Sequence, residues 1–243
     1  MKRRALLIGY SGWDLKNKTP LVGVPIDLQN YKEFLTSLKG GAWYNDEITI
    51  VYDKDLATLK RELLKIKLDR NDLVYVAYSG HGCYSTTKLC RMLEITKDEV
   101  IYENEFSDLA KRQILIFDCC AGKYNETIGE SIERKNYAQR LEKASINEIV
   151  LARQRYEKLC MQCQEQTLRF YAARIGDFAQ DSNYGGLYTK ALLSTLRTSY
   201  NQIDMVGAHH KAAQIVQRET DGEQNPDLRC AKLHDFLPGA ISI

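Results

Sequence analysis

The sequence carries no excess of charge of either sign. Its 34 lysines and arginines nearly balance its 32 aspartates and glutamates, so the formal net charge at neutral pH is only +2. A protein that binds nucleic acid or an anionic membrane through electrostatics presents a much stronger basic field. We therefore expect neither nucleic acid nor a membrane as a partner.

Long hydrophobic runs are missing as well. The first apolar run, ALLIG at 5–9, follows the basic residues at 2–4. It is far too short for a secretory signal or a membrane-spanning helix. We predict that it forms a first β-strand.

The cysteines do not follow a disulfide pattern. Seven of them, an odd number, stand at irregular spacing in a chain of 243 residues, whereas disulfide frameworks are typical of short secreted domains. A reducing cytoplasmic environment fits this usage best. Cys160 and Cys163 have the spacing of a zinc or redox pair, but no second cysteine pair or suitably spaced histidine pair follows. We favour a structural role for both and expect no metal or other cofactor.

Low-complexity tracts and internal repeats are also absent, and the length suits one domain with a sizeable core. We expect a single domain over 1–243. The segment 123–166 stands out because it is rich in charged and amide side chains and lacks proline. We predict a partly helical insertion there. Its docked face would carry Ile146, Ile149, Val150 and Tyr156.

What is present is an alternation of strand-like and helix-like segments. Strands are predicted at about 4–10, 47–52, 72–79, 113–118 and 168–174, with helices at about 26–38, 56–68, 98–111 and 186–198. A small hairpin within 84–97 and a sixth strand near 228–233 complete the prediction. Such alternation is typical of βαβ units. The expected fold class is α/β, with three α/β/α layers around a mostly parallel sheet of about six strands.

Two short segments carry most of the functional information. The segment 74–82, VYVAYSGHG, is an apolar, β-prone run that reaches His81 between two glycines. The segment 114–122, ILIFDCCAG, reaches the pair Cys119 and Cys120. Such runs are typical of buried parallel strands, whose carboxyl ends share one edge of the sheet. We therefore expect His81 to face a cysteine at that edge.

A histidine and a cysteine at one sheet edge suit nucleophilic catalysis. An imidazole and backbone N–H groups favour the reactive thiolate, and the histidine can then act as an acid toward the leaving amine. Gly80 and Gly82 allow the backbone to approach a substrate beside His81. An oxyanion would be bound by the N–H groups of Gly82 and Cys120.

At these two motifs the chain resembles the clan CD cysteine peptidases of the caspase, metacaspase and orthocaspase superfamily, peptidase family C14. In that family the histidine follows Ser-Gly, as in YSGHG at 78–82, and the nucleophile lies two positions after an acidic or amide residue. This register selects Cys120, which lies two positions after Asp118, as the nucleophile. It leaves Cys119 as a buried neighbour. The resemblance implies a caspase-like fold and an endopeptidase with a Cys120 and His81 dyad that acts on proteins or peptides.

Three weaker matches follow in the order that the family has them. They are LVGVPIDL at 21–28, the stretch from YAAR at 171–174 to the helix that starts near 186, and QNP at 224–226. Each match is loose alone, but their common order extends the resemblance over most of the chain.

The resemblance also implies a specificity. In metacaspases the acidic residue two positions before the nucleophile and the aspartate of the first loop line the primary specificity pocket. Their matches here are Asp118 and Asp27. Two carboxylates in a partly desolvated pocket favour a cationic side chain and repel aspartate, which implies cleavage after arginine or lysine. Asp177, in the loop after the fifth strand, is a weaker third candidate.

Simpler roles for these carboxylates stay open. Asp27 could cap the helix that begins there, because aspartate is a common N-cap residue. Asp118 could be a turn residue that accepts backbone N–H groups.

Calcium-dependent metacaspases carry aspartate clusters after the histidine and beyond the nucleophile. Here 83–97 contains no aspartate, and 121–130 offers only Glu126 and Glu130. Because hard cations require several oxygen ligands, we predict that calcium is not required.

The segment 123–166 occupies the position of the caspase intersubunit linker, which is cut during activation in many family members. If the pocket accepts basic residues, self-cleavage would fall on one of six residues in this segment. They are Arg134, Lys135, Arg140, Lys143, Arg153 and Arg155.

Two other classes of function remain as alternatives. The first is a catalytically silent caspase-like interaction or scaffold module, against which the intact His81 and Cys120 argue. The second is a nucleotide- or phosphate-binding doubly wound protein. The sequence after the first strand, GYSGW at 9–13, lacks both Gly-x-Gly-x-x-Gly and a Walker loop.

Overall fold

Residues 1–16, 20–121 and 144–242 are described by a computed structural model. The strands are β1 (Arg3–Tyr10), β2 (Ile48–Tyr52), β3 (Asn71–Gly80), β4 (Gly82–Ser85), β5 (Cys90–Glu94), β6 (Val100–Tyr102), β7 (Ala110–Asp118), β8 (Gln166–Tyr171), β9 (Ile203–Asp204), β10 (Asp227–Arg229) and β11 (Pro238–Ala240). The helices are α1 (Val24–Thr36), α2 (Leu56–Leu68), α3 (Ile146–Gln162), α4 (Leu187–Thr198) and α5 (Met205–Glu219).

Six of the strands form the central sheet, in the order β10-β8-β7-β3-β1-β2. The strands from β8 to β2 are parallel, and β10 joins the β8 edge antiparallel. The predicted sheet of about six mostly parallel strands is therefore confirmed, including the sixth strand after the QNP segment.

The sheet is apolar on both faces because successive side chains of a strand point to opposite sides. In β3, Tyr75 and Ala77 pack in a cluster with residues of α1, α3, α4 and α5. Val76 and Tyr78 pack in a second cluster with residues of α2, β5 and β6. The sheet thus lies between two layers, as predicted.

The predicted helix at 98–111 is wrong. This stretch contains β6, a short 3-10 helix (Glu103–Phe106) and the start of β7. Val100 and Ile101 are β-branched and pair with β5, and Asp108 has a φ of 59°, which no helix accommodates. The antiparallel sheet β4-β5-β6 therefore occupies the place of a helix on this face, and it contains the predicted hairpin.

Helix α5 is missing from the prediction. Its buried residues include Ala208 and Ala212, which are small, and His209, so its apolar stripe is weak in the sequence. A start signal does exist, because the Asp204 side chain accepts a hydrogen bond from the Gly207 N–H at 2.7 Å.

Within the segment 123–166, residues 123–143 lie outside the described part of the chain. Helix α3 follows them and starts at a capping box, in which the Ser145 and Glu148 side chains bond to each other's backbone N–H groups. The prediction of a helix in this segment is confirmed.

The docked face of α3 differs from the predicted one. Tyr156 and Cys160 are buried and Ile149 packs against the same cluster. Ile146, at 80% exposure, and Val150 point to solvent. The buried face of α3 also includes small and sulfur-containing residues, which a search for large apolar residues does not detect.

All seven cysteines lie in the described ranges, and none of them forms a disulfide. Cys160 is buried, and the Cys163 thiol donates to the carbonyl oxygens of Leu159 at 3.3 Å and Phe236 at 3.4 Å. Among the helices described, none is long and apolar enough to span a bilayer.

Candidate active site

His81 and Cys120 follow two neighbouring parallel strands of the central sheet. The last residue pair between β3 and β7 is Ser79 and Asp118. His81 and Cys120 each lie two residues beyond that pair. The strand register therefore places both residues at the same edge of the sheet.

The backbone at His81 is held by its neighbours. Its carbonyl oxygen accepts hydrogen bonds from the Tyr78 hydroxyl at 2.5 Å and from the Glu94 N–H at 3.1 Å. The ring of Tyr10 meets the imidazole edge-on, with 6.0 Å between the ring centroids. These contacts connect β1, β3 and β5 to the histidine.

The turn after β1 passes directly against the imidazole. Gly12 has a φ of +78°, and a Cβ at this position would lie 2.7 Å from His81 Nε2. Only glycine meets both conditions without strain. This close approach is not visible in the sequence, where Gly12 reads as an ordinary loop glycine.

The two adjacent cysteines have different environments. Cys119 is only 1% exposed, and burial raises the pKa of its thiol to about 12. It is therefore protonated and inert near neutral pH. Cys120 is partly exposed, and its thiol donates to the carbonyl oxygen of Ala179 at 3.6 Å. Accessibility thus favours Cys120, the residue that the sequence motif selects.

The segment after β8, residues 172–180, lies alongside the cysteine. The Ala121 N–H donates to the Asp177 carbonyl oxygen at 3.0 Å, and the Gly176 N–H donates to the Ala121 carbonyl oxygen at 2.9 Å. We call residues 172–180 the nucleophile loop, because it runs past Cys120 as far as Ala179.

Gly82 packs tightly on the cysteine strand. A Cβ at Gly82 would lie 3.0 Å from Cys119 Sγ and 2.9 Å from the Met92 carbonyl oxygen. Its backbone therefore lies next to the strand end that carries Cys120, where the sequence predicts an oxyanion site.

Asp27 and Asp118 are both buried and border the same stretch of backbone. Asp27 Oδ2 accepts from the Ser79 hydroxyl at 2.7 Å and from the Gly186 N–H at 3.0 Å. Asp118 Oδ2 accepts from the hydroxyl of Thr189 at 2.6 Å and from its N–H at 3.0 Å. A Cβ at Gly186 would lie 2.5 Å from Asp118 Oδ2 and 3.2 Å from Asp27 Oδ2. The structure thus brings the two predicted pocket carboxylates together.

The N-terminus of α4 provides donors for both carboxylates. Gly186 is its N-cap residue, and Thr189 lies in its first turn, where backbone N–H groups and the helix dipole favour negative charge. Asp27 does not cap its own helix, because the N-cap of α1 is Gly23 and no side chain caps it. The N-cap interpretation of Asp27 is therefore wrong.

Burial makes these carboxyl groups hard to ionise. Burial, and then the charge of Asp118, raises the pKa of Asp27 well above its usual range. Burial raises the pKa of Asp118 to about 6, against the opposing effect of the Thr189 hydrogen bonds. In the free protein a negative charge at this site is therefore costly, and a cation would stabilise it.

A third carboxylate near this pair comes from a residue that the sequence prediction did not select. Asp181 Oδ2 accepts from the Gly23 N–H at 3.2 Å, and the Asp181 charge raises the pKa of both Asp27 and Asp118. Its own pKa is raised by burial. Asp181 lies in one of the segments that loosely resemble the family pattern, but nothing in its spacing distinguishes it from other loop aspartates.

Asp177, the third candidate from the sequence, faces other groups. Its carboxylate pairs with Arg174 at 3.1 Å and accepts from the Asn225 side chain at 2.8 Å. It holds the nucleophile loop to the segment before β10 and is not among the groups that contact Asp27 or Asp118. In the described part of the chain, no group of three or more His, Cys, Asp or Glu residues could hold a metal ion.

One comparison with known proteins identifies a family. The family model of the caspase domain, peptidase family C14, matches residues 2–238. The crystal structure of caspase-1 from Spodoptera frugiperda is similar with a TM-score of 0.62 and 14% identity, over 94% of this chain and 86% of that chain.

A second structure, protein GSU0716 from Geobacter sulfurreducens, is similar with a TM-score of 0.63 and 16% identity, over 98% of this chain and 97% of that chain. No curated protein sequence matches the chain. At these identities the structural likeness shows a shared fold, whereas the family match covers nearly the whole sequence.

Proposed function

This chain belongs to the caspase-domain family of peptidases, and on that premise we propose that it is a cysteine endopeptidase that cleaves protein substrates after arginine or lysine. The observation that supports this most directly is the strand register, by which His81 and Cys120 follow a pair of strand ends that carry Asp118 and Ser79, the partner of Asp27. The proposal includes a cytoplasmic location, with which the seven free cysteines agree.

In the proposed reaction, Cys120 attacks the scissile carbonyl carbon as a thiolate. The N–H groups of Gly82 and Cys120 bind the resulting oxyanion. His81 gives a proton to the leaving amine, which departs and leaves a thioester on Cys120. Water then hydrolyses the thioester with His81 as the base, and the free thiol is restored.

In the proposed specificity pocket, Asp27 and Asp118 pair with the guanidinium or ammonium group of the substrate. A cationic side chain would offset the cost of ionising these buried carboxyl groups, whereas an aspartate would add to it. We propose Asp181 as the third contributor in place of Asp177, because it is the Asp181 charge that acts on both carboxyl groups.

The test compares wild type with two matched variants, Cys120→Ala and Cys119→Ala, on fluorogenic peptides that end in arginine, lysine or aspartate. We expect turnover of the arginine and lysine peptides, loss of turnover to background in Cys120→Ala, and activity close to wild type in Cys119→Ala. We propose that calcium is not required, so a chelator should leave the rate unchanged.

Each of the other possible outcomes contradicts a particular part of the proposal. A preference for aspartate peptides would overturn the pocket assignment and leave the dyad intact. Equal turnover by wild type and Cys120→Ala would overturn the mechanism. If wild type shows neither turnover nor labelling of Cys120 by an arginyl electrophile, the silent interaction module is the better description.

The structure narrows the candidate sites for self-cleavage. Arg153 is held by both oxygens of Glu47, one of them at 2.8 Å, and lies 4.0 Å above the ring of Tyr44. Arg153 and Arg155 both lie inside α3, whereas a substrate that pairs with a sheet edge is extended. We therefore propose that self-cleavage, where it occurs, uses one of the other four sites. Those sites, Arg134, Lys135, Arg140 and Lys143, lie outside the described residues.

A further inference from the structure

A buried polar cluster lies next to Cys119, apart from the acidic pocket. It consists of Arg91 in β5, Glu103 in the 3-10 helix and Tyr171 at the end of β8, with exposures of 2%, 3% and 1%. The charge of Arg91 lowers the pKa of the Cys119 thiol, and that of Glu103 raises it. The roles proposed above for the dyad and the pocket do not involve these three residues.

Arg91 connects two parts of the site. Its Nη2 donates a hydrogen bond to the carbonyl oxygen of Ala173, near the start of the nucleophile loop. Its guanidinium group lies 4.2 Å above the ring of Tyr171. Strand β5 pairs with β4, which begins at Gly82, the residue after His81. One side chain therefore links the small sheet beside His81 to the loop that runs past Cys120.

Stability alone does not require an arginine at this position. A buried cation is costly unless its donors are well paired, yet no hydrogen-bond partner of Arg91 Nη1 exists among the described residues. Replacing a buried ionic group with an apolar side chain of similar size is often neutral or stabilising. What this costly group does provide is a hydrogen bond to the Ala173 carbonyl oxygen.

We propose that Arg91 is a positioning residue for the peptidase reaction. By fixing the Ala173 carbonyl, it holds the nucleophile loop against Cys120 in register with the sheet that follows His81. Arg91 touches neither the substrate nor the thiol in this role. The expected effect on kcat rests on the proposed peptidase function. The expected effect on the nucleophile loop can be measured without turnover.

The test uses Arg91→Met, which keeps the length of the side chain and its contact with Tyr171 but removes the hydrogen bond to Ala173. The matched control is Arg229→Met, because Arg229 lies 5.4 Å from the same ring and is exposed at the edge strand. A third variant, Arg91→Lys, keeps the charge. Hydrogen exchange of the loop amides, including Gly176, is measured together with kcat and KM.

We expect Arg91→Met to speed amide exchange in the nucleophile loop and to lower kcat about tenfold or more, with a smaller change in KM, because misplaced reactive groups slow the chemical step. Arg91→Lys should recover part of both effects, and Arg229→Met should show neither. Loop exchange and kcat at wild-type values in Arg91→Met would overturn the inference.

Failure of this inference can be separated from failure of the proposed function. If wild type cleaves basic peptides and Arg91→Met does so equally well, only the role of Arg91 is wrong. If wild type has no turnover, the proposed function fails, and the exchange comparison alone decides whether Arg91 holds the loop. If Arg91→Met does not fold, Arg91→Lys decides, and unchanged exchange and kcat there would overturn the inference.

Discussion

At the scale of single residues, the proposed specificity role of Asp118 has a consequence for stability. Burial raises its pKa to about 6 in the folded protein, against about 3.9 for an ordinary aspartate. Well below pH 4 the residue is protonated in both the folded and the unfolded state, and there is no penalty. As the pH rises toward 6, Asp118 ionises in the unfolded state before it ionises in the folded state. Ionisation therefore stabilises the unfolded state more, and the resulting loss of folding stability is complete above pH 6.

We therefore predict that Asp118→Asn is more stable than wild type at pH 8, by about 1–3 kcal/mol, and gains little at pH 4. Denaturant unfolding at the two pH values measures this difference. The same variant should lose about a hundredfold or more in kcat/KM on arginine peptides, because the pocket loses a carboxylate.

The matched control for the pocket is Asp177→Asn. That residue pairs with Arg174 and Asn225, so its removal should leave the preference for arginine over aspartate peptides unchanged. A stability change in Asp118→Asn that is equal at both pH values would contradict the assigned role of burial.

The sequence motifs bring His81 and a cysteine forward as candidates because both stand at predicted strand ends, and the resemblance to the caspase superfamily adds the choice of Cys120 and the carboxylates of Asp27 and Asp118. The choice between Asp177 and Asp181 was not available from the sequence. Both lie after the same strand, and the path of the chain between them depends on hydrogen bonds to a segment more than forty residues away.

At the scale of elements, a buried amide side chain ties together the two ends of the nucleophile loop. The Gln224 side chain donates to the Ala172 carbonyl oxygen at 2.9 Å and accepts from the Gln180 N–H at 3.0 Å. It thus ties both ends of the loop from a fully buried position. This gives the glutamine of the QNP segment a physical role that its sequence match alone does not supply.

We predict that Gln224→Leu loses about 1–3 kcal/mol of stability, because buried backbone groups are left without partners. Its activity should also fall, with a clear rise in KM if the loop binds substrate. Urea unfolding and peptide kinetics measure the two effects. The control is Gln217→Leu, since Gln217 is exposed on α5; equal losses in the two variants would contradict the role of Gln224.

The elements that sequence reasoning misplaced share a physical cause. The stretch 98–111 has enough apolar residues for a helix, but pairing with β5 makes part of it a strand. Helix α5 buries small residues and a histidine, whose Nδ1 lies 2.8 Å from the Tyr188 hydroxyl. In both cases tertiary contacts, and not local periodicity, decide the structure.

At the scale of the whole molecule, the chain starts in β1, forms the edge strand β2, returns across β1 to β3, and then adds β7, β8 and β10 in sequence order. Strands β7 and β8 are neighbours, paired from Arg112 with Gln166 to Phe117 with Tyr171, yet the segment between them contains the proposed linker. The alternation of strands and helices predicts the layers and the parallel direction. It does not predict the strand order, because that depends on which strands meet across the sheet.

This topology predicts how the protein responds to a cut between 122 and 143. Residues before the cut supply four strands of the central sheet, and residues after it supply β8, β10 and the helices α3 to α5. Both parts enter the same hydrophobic cluster, with Tyr31 and Tyr75 from the first and Tyr156 and Leu192 from the second. Separation would expose that cluster to water, which is strongly unfavourable.

We therefore expect Cys120→Ala, which cannot cut itself by the proposed mechanism, to give two fragments on a denaturing gel and one particle by native mass spectrometry once trypsin has cut it between 122 and 143. The fragments should part only in denaturant, in a single cooperative step. Arg153 should resist trypsin because Glu47 and the helix hold it. Fragments that separate without denaturant would show that β7 and β8 do not hold the two parts together.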